Sequence, residues 1–166
     1  MDLATKTLLK SYLIAGFAVV MALTVLIVVL LFRSDGSYTV SGSSMSPTLE
    51  DGDRIKISQQ NDSPKTGDIV VFEKDLGMTR IVLVKRVVAE SGDEVEYDDG
   101  FIVNGESVSD HECDIDFSQT LGEGEYLVQG DNSDNSSDSL SDLCNGEDGI
   151  VDDDDVIAHG KVVDVE

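Results

Sequence analysis

The chain has 166 residues, of which 34 are acidic and 11 are basic, and its formal net charge is -23. This length suits one folded domain with an appendage rather than two domains with separate cores. The part after Arg33 holds 33 acidic and 8 basic residues and carries a net charge of -25. Because such a surface repels phosphate backbones, it argues against nucleic acid as a partner. A solvated acidic surface, adaptation to high salt and a basic partner protein all remain compatible with the charge.

Residues 12–32 form a run of 21 residues without a charge. At about 1.5 Å per residue, a helix of this length spans roughly 30 Å of hydrocarbon, so we predict a transmembrane helix. Lys6 and Lys10 precede it, which predicts a cytoplasmic N-terminus over residues 1–11 and an extracytoplasmic catalytic domain over residues 33–166 of a single-pass protein of the cell membrane. A cleaved secretory signal is the alternative, but the run exceeds the usual signal core and no small-x-small site closes it.

The remainder of the chain has the pattern of β-strands, with period-two alternation or enrichment in β-branched residues. The predicted strands are residues 38–44, 54–58, 67–72, 79–88, 93–97, 101–103, 125–129 and 155–165. Gly160 is predicted to be a bulge or bend in the last of them. No stretch outside the anchor shows a helical period. The prediction is a mainly β fold, a coiled antiparallel sheet or barrel-like domain behind one N-terminal transmembrane helix.

The residues that often bind metals or carry redox chemistry give weak signals. Cys113 and Cys144 are the only cysteines, and an intradomain disulfide and two free thiols are both compatible with the sequence. The four carboxylates of residues 152–155 are interpreted as a solvated turn, since no second ligand cluster lies nearby. His111 and His159 are interpreted as surface or structural residues. No metal or cofactor is expected.

Two polar residues suggest nucleophilic catalysis. Ser44 is the last residue of the first predicted strand, and Lys85 lies within the apolar run of residues 83–88. Burial could lower the lysine pKa by the roughly 3 units that a base near neutral pH needs. A neutral lysine could then accept the Ser44 proton, which predicts a Ser-Lys dyad. Taken alone, Lys85 would be interpreted as an edge-strand lysine with a solvated tip.

Four stretches match one family in order. Residues 44–49 (SMSPTL) resemble the nucleophile box of type I signal peptidases, and residues 85–88 (KRVV) with 92–93 (GD) resemble their lysine box. Residues 67–70 (GDIV) are similar to the intervening strand, and residues 130–139 (GDNSDNSSDS) to the final box. The lysine, in place of histidine, resembles the bacterial type, and the single anchor and short domain are similar to the compact forms of Gram-positive bacteria.

The resemblance implies a role for each matching residue. Ser44 would be the nucleophile and Lys85 the general base, oriented by a hydrogen bond from Ser136. Asp138 and Arg86 would form a supporting salt bridge. Independently of the resemblance, strand alternation sends Lys85 and Arg86 to opposite faces.

Three positions depart from the family pattern. The Ser44 backbone N–H would stabilise the oxyanion, but position 42, a serine in some members, is glycine here, so a second donor has to come from elsewhere. Ser133 and Leu140 stand where many members carry arginine, which leaves open how the final box is braced.

The resemblance also implies the substrates, which are secretory preproteins with Ala-x-Ala-type cleavage sites. The cleavage region would add as an extended strand beside residues 38–42, with its small side chains in shallow pockets. The residues predicted to contact it are Tyr38, Val40, Gly42, Met45, Leu83 and Val84. The lipid bilayer and the secretion translocon are the other partners implied.

The resulting hypothesis is a membrane-anchored serine endopeptidase that removes signal peptides through an acyl-enzyme. Three alternatives remain. A processing peptidase could be dedicated to one substrate class such as a pilin, and a catalytically silent anchored module could bind the same substrates. A self-cleaving Ser-Lys repressor protease shares the fold, but has a DNA-binding region where this chain has its apolar run.

Overall fold

The computed structural model describes residues 3–31, 36–58 and 62–165. The chain divides into two compact units, residues 1–35 and 36–166. The first contains helix α1 (Leu3–Leu31), which has 29 residues. A search of the described residues for a helix long and apolar enough to cross a membrane found none. Phe32, the last residue of the predicted span, and residues 59–61 of the loop after the second predicted strand lie outside the described residues.

The second unit is mainly β, as predicted. Its strands are β1 (Ser37–Thr39), β2 (Arg54–Ile57), β3 (Ile69–Asp75), β4 (Arg80–Ala89), β5 (Glu94–Tyr97), β6 (Phe101–Val103), β7 (Glu106–Ser109), β8 (Ser118–Thr120), β9 (Glu125–Gln129), β10 (Val151–Asp152), β11 (Val156–Gly160) and β12 (Val162–Val165). Helix α2 (Ser139–Cys144) lies between β9 and β10. Short 3-10 helices cover Ser133–Asn135 and Asp153–Asp155.

The strands form three antiparallel sheets, in the orders β1-β2-β12, β10-β9-β4-β3-β11 and β7-β6-β5-β8. The final segment joins the first two sheets, because β11 pairs with β3 and β12 pairs with β2. Gly160, with a φ of 132°, ends β11 where the chain passes from one sheet to the other. The bend predicted at this glycine is confirmed.

Strand β3 is the centre of the packing, because both of its faces are covered. Its alternation sends Ile69 and Val71 into one apolar cluster and Val70 and Phe72 into another. All four side chains are buried. Residues 80–86 of β4 pair with the whole of β3, so the backbone that carries the side chains of this part of β4 is held by main-chain hydrogen bonds.

Helix α2 was not predicted, because six residues are too few for a helical period to appear in the sequence. It begins after Asp138, whose side chain accepts a hydrogen bond from the Ser141 backbone in a capping box. Its last residue, Cys144, forms a disulfide with Cys113, which decides between the two alternatives for the cysteines. The short, polar strands β7 and β8 also escaped prediction.

Candidate active site

Ser44 lies in the turn after β1, held by two apolar residues that follow it in the loop. Met45 and Leu49 are each 1% exposed and belong to the apolar cluster that contains Ile69 and Val71. The Leu49 backbone donates to the Met45 carbonyl over 2.9 Å. Because both side chains are embedded in the core, the loop holds the partly buried Ser44 hydroxyl at a defined position.

Lys85 projects from β4 toward Ser44. Lys85 is 2% exposed, and its Nζ atom lies 2.6 Å from Ser44 Oγ. Burial lowers the pKa of Lys85, the Asp138 carboxylate works against that effect, and the positive charge of Lys74 adds to it. The structure thus brings together the two residues predicted as nucleophile and base, in an environment that disfavours the ammonium form.

Arg86 points to the other face of β4, as strand alternation predicts. Its Nε and Nη2 atoms donate to the two carboxylate oxygens of Asp131 over 2.8 and 2.6 Å, and Nη1 donates to the Gly67 carbonyl. The hydrogen bonds to Asp131 and the charge of Asp131 raise the pKa of Arg86 against the opposing effect of burial. The predicted salt bridge between Arg86 and Asp138 is wrong, because the partner of the arginine is Asp131.

Asp138 does not pair with Arg86 because its carboxylate binds backbone N–H groups. It is 3% exposed, and its two oxygens accept from the backbone of Ser141 (3.2 Å) and of Gly130 (3.0 Å). It therefore caps α2 and fixes the end of β9, and its charge acts on Lys85 rather than on Arg86.

Ser136 lies beside the dyad without bonding to it. Its Oγ atom is buried and has no hydrogen-bond partner among the described residues. A Cβ atom on Gly130 would overlap this oxygen and would lie 2.5 Å from the Ser44 carbonyl oxygen, so Ser136, Gly130 and Ser44 are in close contact. The orienting role predicted for Ser136 stays a prediction, since the structure contains no bond from it to Lys85.

Two asparagines of the final box hold the nucleophile loop, although no pattern in the sequence predicts this role for them. The Asn132 backbone donates to the Ser44 carbonyl over 2.9 Å, and its side chain donates to the Ser43 carbonyl over 3.0 Å. Asn135 Nδ2 donates to Ser43 Oγ over 2.6 Å. The polar, turn-rich composition of this stretch indicated a loop, but not which backbone it would bind.

A cavity of about 150 Å³ adjoins the dyad. Ser44 and Lys85 line it together with predicted contact residues, which are Tyr38, Val40, Met45, Leu83 and Val84. Gly42 does not line it, and its backbone N–H donates to Asp51 Oδ1 over 2.7 Å. With a φ of 88° and open space where a Cβ would be, Gly42 serves the turn rather than a close approach.

Two strand edges flank this cavity. In the described part of the chain, β1 is the outer strand of its sheet and pairs only with β2. Strand β4 pairs with β9 only from Arg86 onward, so residues 80–85 have β3 as their single neighbour there. An extended peptide could therefore form main-chain hydrogen bonds beside the dyad.

The other candidate ligand residues remain apart from the dyad. Residues 152–155 are exposed and end in a 3-10 turn, as predicted. His159 is 9% exposed in β11, where its Nδ1 atom lies 3.8 Å from Asp68 Oδ2, so it is a structural residue. Within residues 3–31, 36–58 and 62–165, no group of three or more His, Cys, Asp or Glu residues could hold a metal ion.

Known proteins match this chain over most of its length. A family model described as signal peptidase, peptidase S26, matches residues 9–164. Signal peptidase I T of Bacillus subtilis (strain 168) is 30% identical over 173 residues, which cover 93% of this chain and 86% of the relative. Signal peptidase IB of Staphylococcus aureus is 30% identical over 152 residues, which cover 75% and 74%.

A crystal structure of a signal peptidase I from Enterococcus faecalis V583 is 26% identical and covers 60% of this chain and 97% of its own, with a TM-score of 0.42. The family match defines the class, a serine peptidase. The chain belongs to the signal peptidase family, peptidase S26, and its relatives are bacterial-type signal peptidase I enzymes.

Proposed function

We propose that this protein is a membrane-anchored signal peptidase I that removes signal peptides from secretory preproteins, with Ser44 as nucleophile and Lys85 as general base. The observation that carries the proposal is the 2.6 Å distance between Ser44 Oγ and a Lys85 Nζ whose pKa is lowered by burial. A lysine in this environment holds a free electron pair at a pH where an exposed lysine is protonated.

The proposed reaction has two halves. Lys85 takes the proton of Ser44 as the hydroxyl oxygen attacks the scissile carbonyl carbon, and the Ser44 backbone N–H donates to the oxyanion. The C–N bond breaks, the amine leaves with the proton from Lys85, and the signal peptide stays attached to Ser44 as an ester. Lys85 then takes a proton from water, whose oxygen attacks the ester carbon. The C–O bond to Ser44 breaks, Ser44 Oγ takes the proton back from Lys85, and the signal peptide leaves with a new C-terminal carboxyl group.

Substrate binding is proposed beside the open edges of β1 and β4. The cleavage region would run extended through the cavity lined by Tyr38, Val40 and Leu83, whose volume of about 150 Å³ suits small side chains such as alanine. Main-chain bonds to the strand edges would supply affinity independent of sequence, and the cavity would supply the preference for small residues.

Membrane anchoring is proposed from the sequence alone, on the uncharged run of residues 12–32. An anchor would confine the enzyme to the interface where signal sequences are inserted, and so raise their effective concentration without further contacts. A cytoplasmic N-terminus and an extracytoplasmic catalytic domain follow from Lys6 and Lys10.

The test is cleavage of preproteins carrying Ala-x-Ala by the full chain purified in detergent. We expect the wild type to cleave after the last alanine. The cleavage rate should fall by at least about 1,000-fold in Ser44→Ala, which lacks the nucleophile, and in Lys85→Arg, because a guanidinium stays protonated. Lys65→Arg, which alters an exposed lysine paired with Glu90, is the matched control and should remain active.

Each other outcome contradicts part of the proposal. Retained activity in Lys85→Arg would remove the lysine from the mechanism. Cleavage of one preprotein from a broad panel would indicate a dedicated processing peptidase. A folded wild-type protein that binds preproteins and cleaves none of them would be a silent binding module.

A further inference from the structure

A second lysine shares a face of the β3–β4 ladder with Lys85. Lys85 lies opposite Val70 in the register, and Val70 and Lys74 are four residues apart on β3, so both lysines project from the same face. The strand rise separates their backbones by roughly 13 Å. Phe72 and Leu83, which pair with each other, lie between them, and two long side chains can span much of that distance.

Lys74 forms an ion pair with helix α2. Its Nζ atom lies 2.5 Å from Asp142 Oδ2, and the two side chains are 21% and 10% exposed. The pair fastens the helix to β3. Lys74, Asp142 and the helix cap Asp138 line one cavity of about 230 Å³, and the charges of Lys74 and Asp138 both act on Lys85.

We propose that Lys74 is a positioning residue for Lys85: paired with Asp142, it holds α2 and its cap Asp138 beside the dyad and opposes a second positive charge on this face. This inference rests on the proposed function, in which Lys85 is the general base. Lys74 does not touch the reacting atoms and acts only through Lys85.

The charges around Lys85 explain why the positive charge of Lys74 favours the neutral form of Lys85. Asp138, from the start of α2, favours the ammonium form, and Lys74, from β3, opposes it. Ser44 from the nucleophile loop and Ser136 from the loop before α2 are uncharged. Burial lowers the pKa of Lys85, and Lys74 counteracts the carboxylate that would otherwise raise it.

The two halves of the ion pair should have opposite effects. Lys74→Met leaves the Asp142 carboxylate beside Asp138, so Lys85 binds a proton more tightly and the acid limb of kcat moves to higher pH by roughly half a unit. Asp142→Asn leaves Lys74 unpaired, so the acid limb moves to lower pH by roughly the same amount. A purely structural brace predicts shifts of the same direction, or none.

The experiment measures kcat and KM of the full chain in detergent from about pH 5 to about pH 10. The variants are Lys74→Met, Asp142→Asn, the double variant Lys74→Met/Asp142→Asn, and Lys74→Arg. Lys65→Met is the matched control, because it removes one positive charge from an exposed ion pair with Glu90. In parallel, the 13Cε chemical shift of Lys85, assigned with Lys85→Met, reports its protonation without any need for cleavage.

We expect the acid limb of the kcat–pH profile to move in opposite directions in Lys74→Met and Asp142→Asn. In the double variant and in Lys74→Arg it should lie near its wild-type position, and in Lys65→Met it should not move. Equal directions in both single variants, or a shift in Lys65→Met as large as in Lys74→Met, would overturn the inference. If Lys74→Met does not fold, the downward shift in Asp142→Asn decides. If the wild type cleaves nothing, the proposed function fails, and the Lys85 titration still tests the effect of Lys74.

Discussion

Gly130 and Ser136 lie so close together that a Cβ atom on the glycine would overlap the serine Oγ. The same atom would lie 2.5 Å from the Ser44 carbonyl oxygen, shorter than real Cβ contacts. A residue in the final box thus touches the nucleophile loop and the serine predicted to orient Lys85, and only glycine fits between them.

Gly130→Ala should therefore disrupt the dyad. The added methyl group must displace Ser136 or the Ser44 backbone, and a misplacement of about 1 Å costs on the order of 100-fold in rate. We expect a loss of that size in kcat/KM for preprotein cleavage. Gly122→Ala is the control, because its Cβ would meet only the flexible end of Glu125. Wild-type rates in Gly130→Ala would contradict the packing described here.

Ser136→Ala should separate stability from turnover. The Ser136 Oγ is buried and unpaired within the described structure, so its removal should leave the free energy of unfolding unchanged or raise it by up to about 1 kcal/mol. The orienting role predicted for this hydroxyl implies that its loss should lower kcat about tenfold with little change in KM. An effect on KM alone would argue against an orienting role.

Asp138→Asn and Asp131→Asn should differ in severity. The two oxygens of Asp138 accept from Gly130 and Ser141, so an amide nitrogen would face an N–H group. We expect a loss of roughly 1–3 kcal/mol in urea unfolding together with lower kcat. Asp131 pairs with a partly exposed Arg86 on the far face of β4, and its replacement should cost about 1 kcal/mol or less at nearly unchanged kcat. Equal losses of kcat in the two variants would refute this division.

The disulfide should stabilise the domain and support the site. Cys113 and Cys144 are 31 residues apart, and a loop of this length predicts roughly 3–4 kcal/mol in the entropic model. The double variant Cys113→Ser/Cys144→Ser should lower the unfolding free energy by that amount, and a reductant should do the same to the wild type. Cys144 ends α2, the helix that Asp138 caps, so kcat should fall as well. Unfolding curves insensitive to both changes would sink this prediction.

The strands that were predicted accurately are those with strong local patterns. Strands β3 and β4 are long, apolar and β-branched, and the structure contains both. The first strand was predicted over residues 38–44, but β1 ends at Thr39, because the chain turns at Gly42 with positive φ. Strands β7 and β8 and helix α2 are short and largely polar, and their stability comes from neighbours distant in sequence.

In the candidate site, too, local features could be predicted from the sequence, and contacts between distant residues could not. Motif order indicated that Ser44 and Lys85 act together, and alternation indicated that Arg86 faces away from Lys85. The choice between Asp131 and Asp138 as the partner of Arg86 was wrong, because both carboxylates lie in one polar loop of the sequence. Which of them reaches the far face of β4 depends on how that loop folds over the sheet.

Local patterns in the sequence were enough to predict the β character of the domain and the faces of β4, since periodicity and adjacent positions are local properties, and the motifs singled out Ser44 and Lys85 as the candidate nucleophile and base. Which groups meet became clear from the folded domain: Asp131 pairs with Arg86, Lys74 pairs with Asp142, and Gly130 contacts Ser136. The physical reason is that hydrogen bonds, ion pairs and burial depend on distances through space, and those distances are set only when residues far apart in the chain pack into one core.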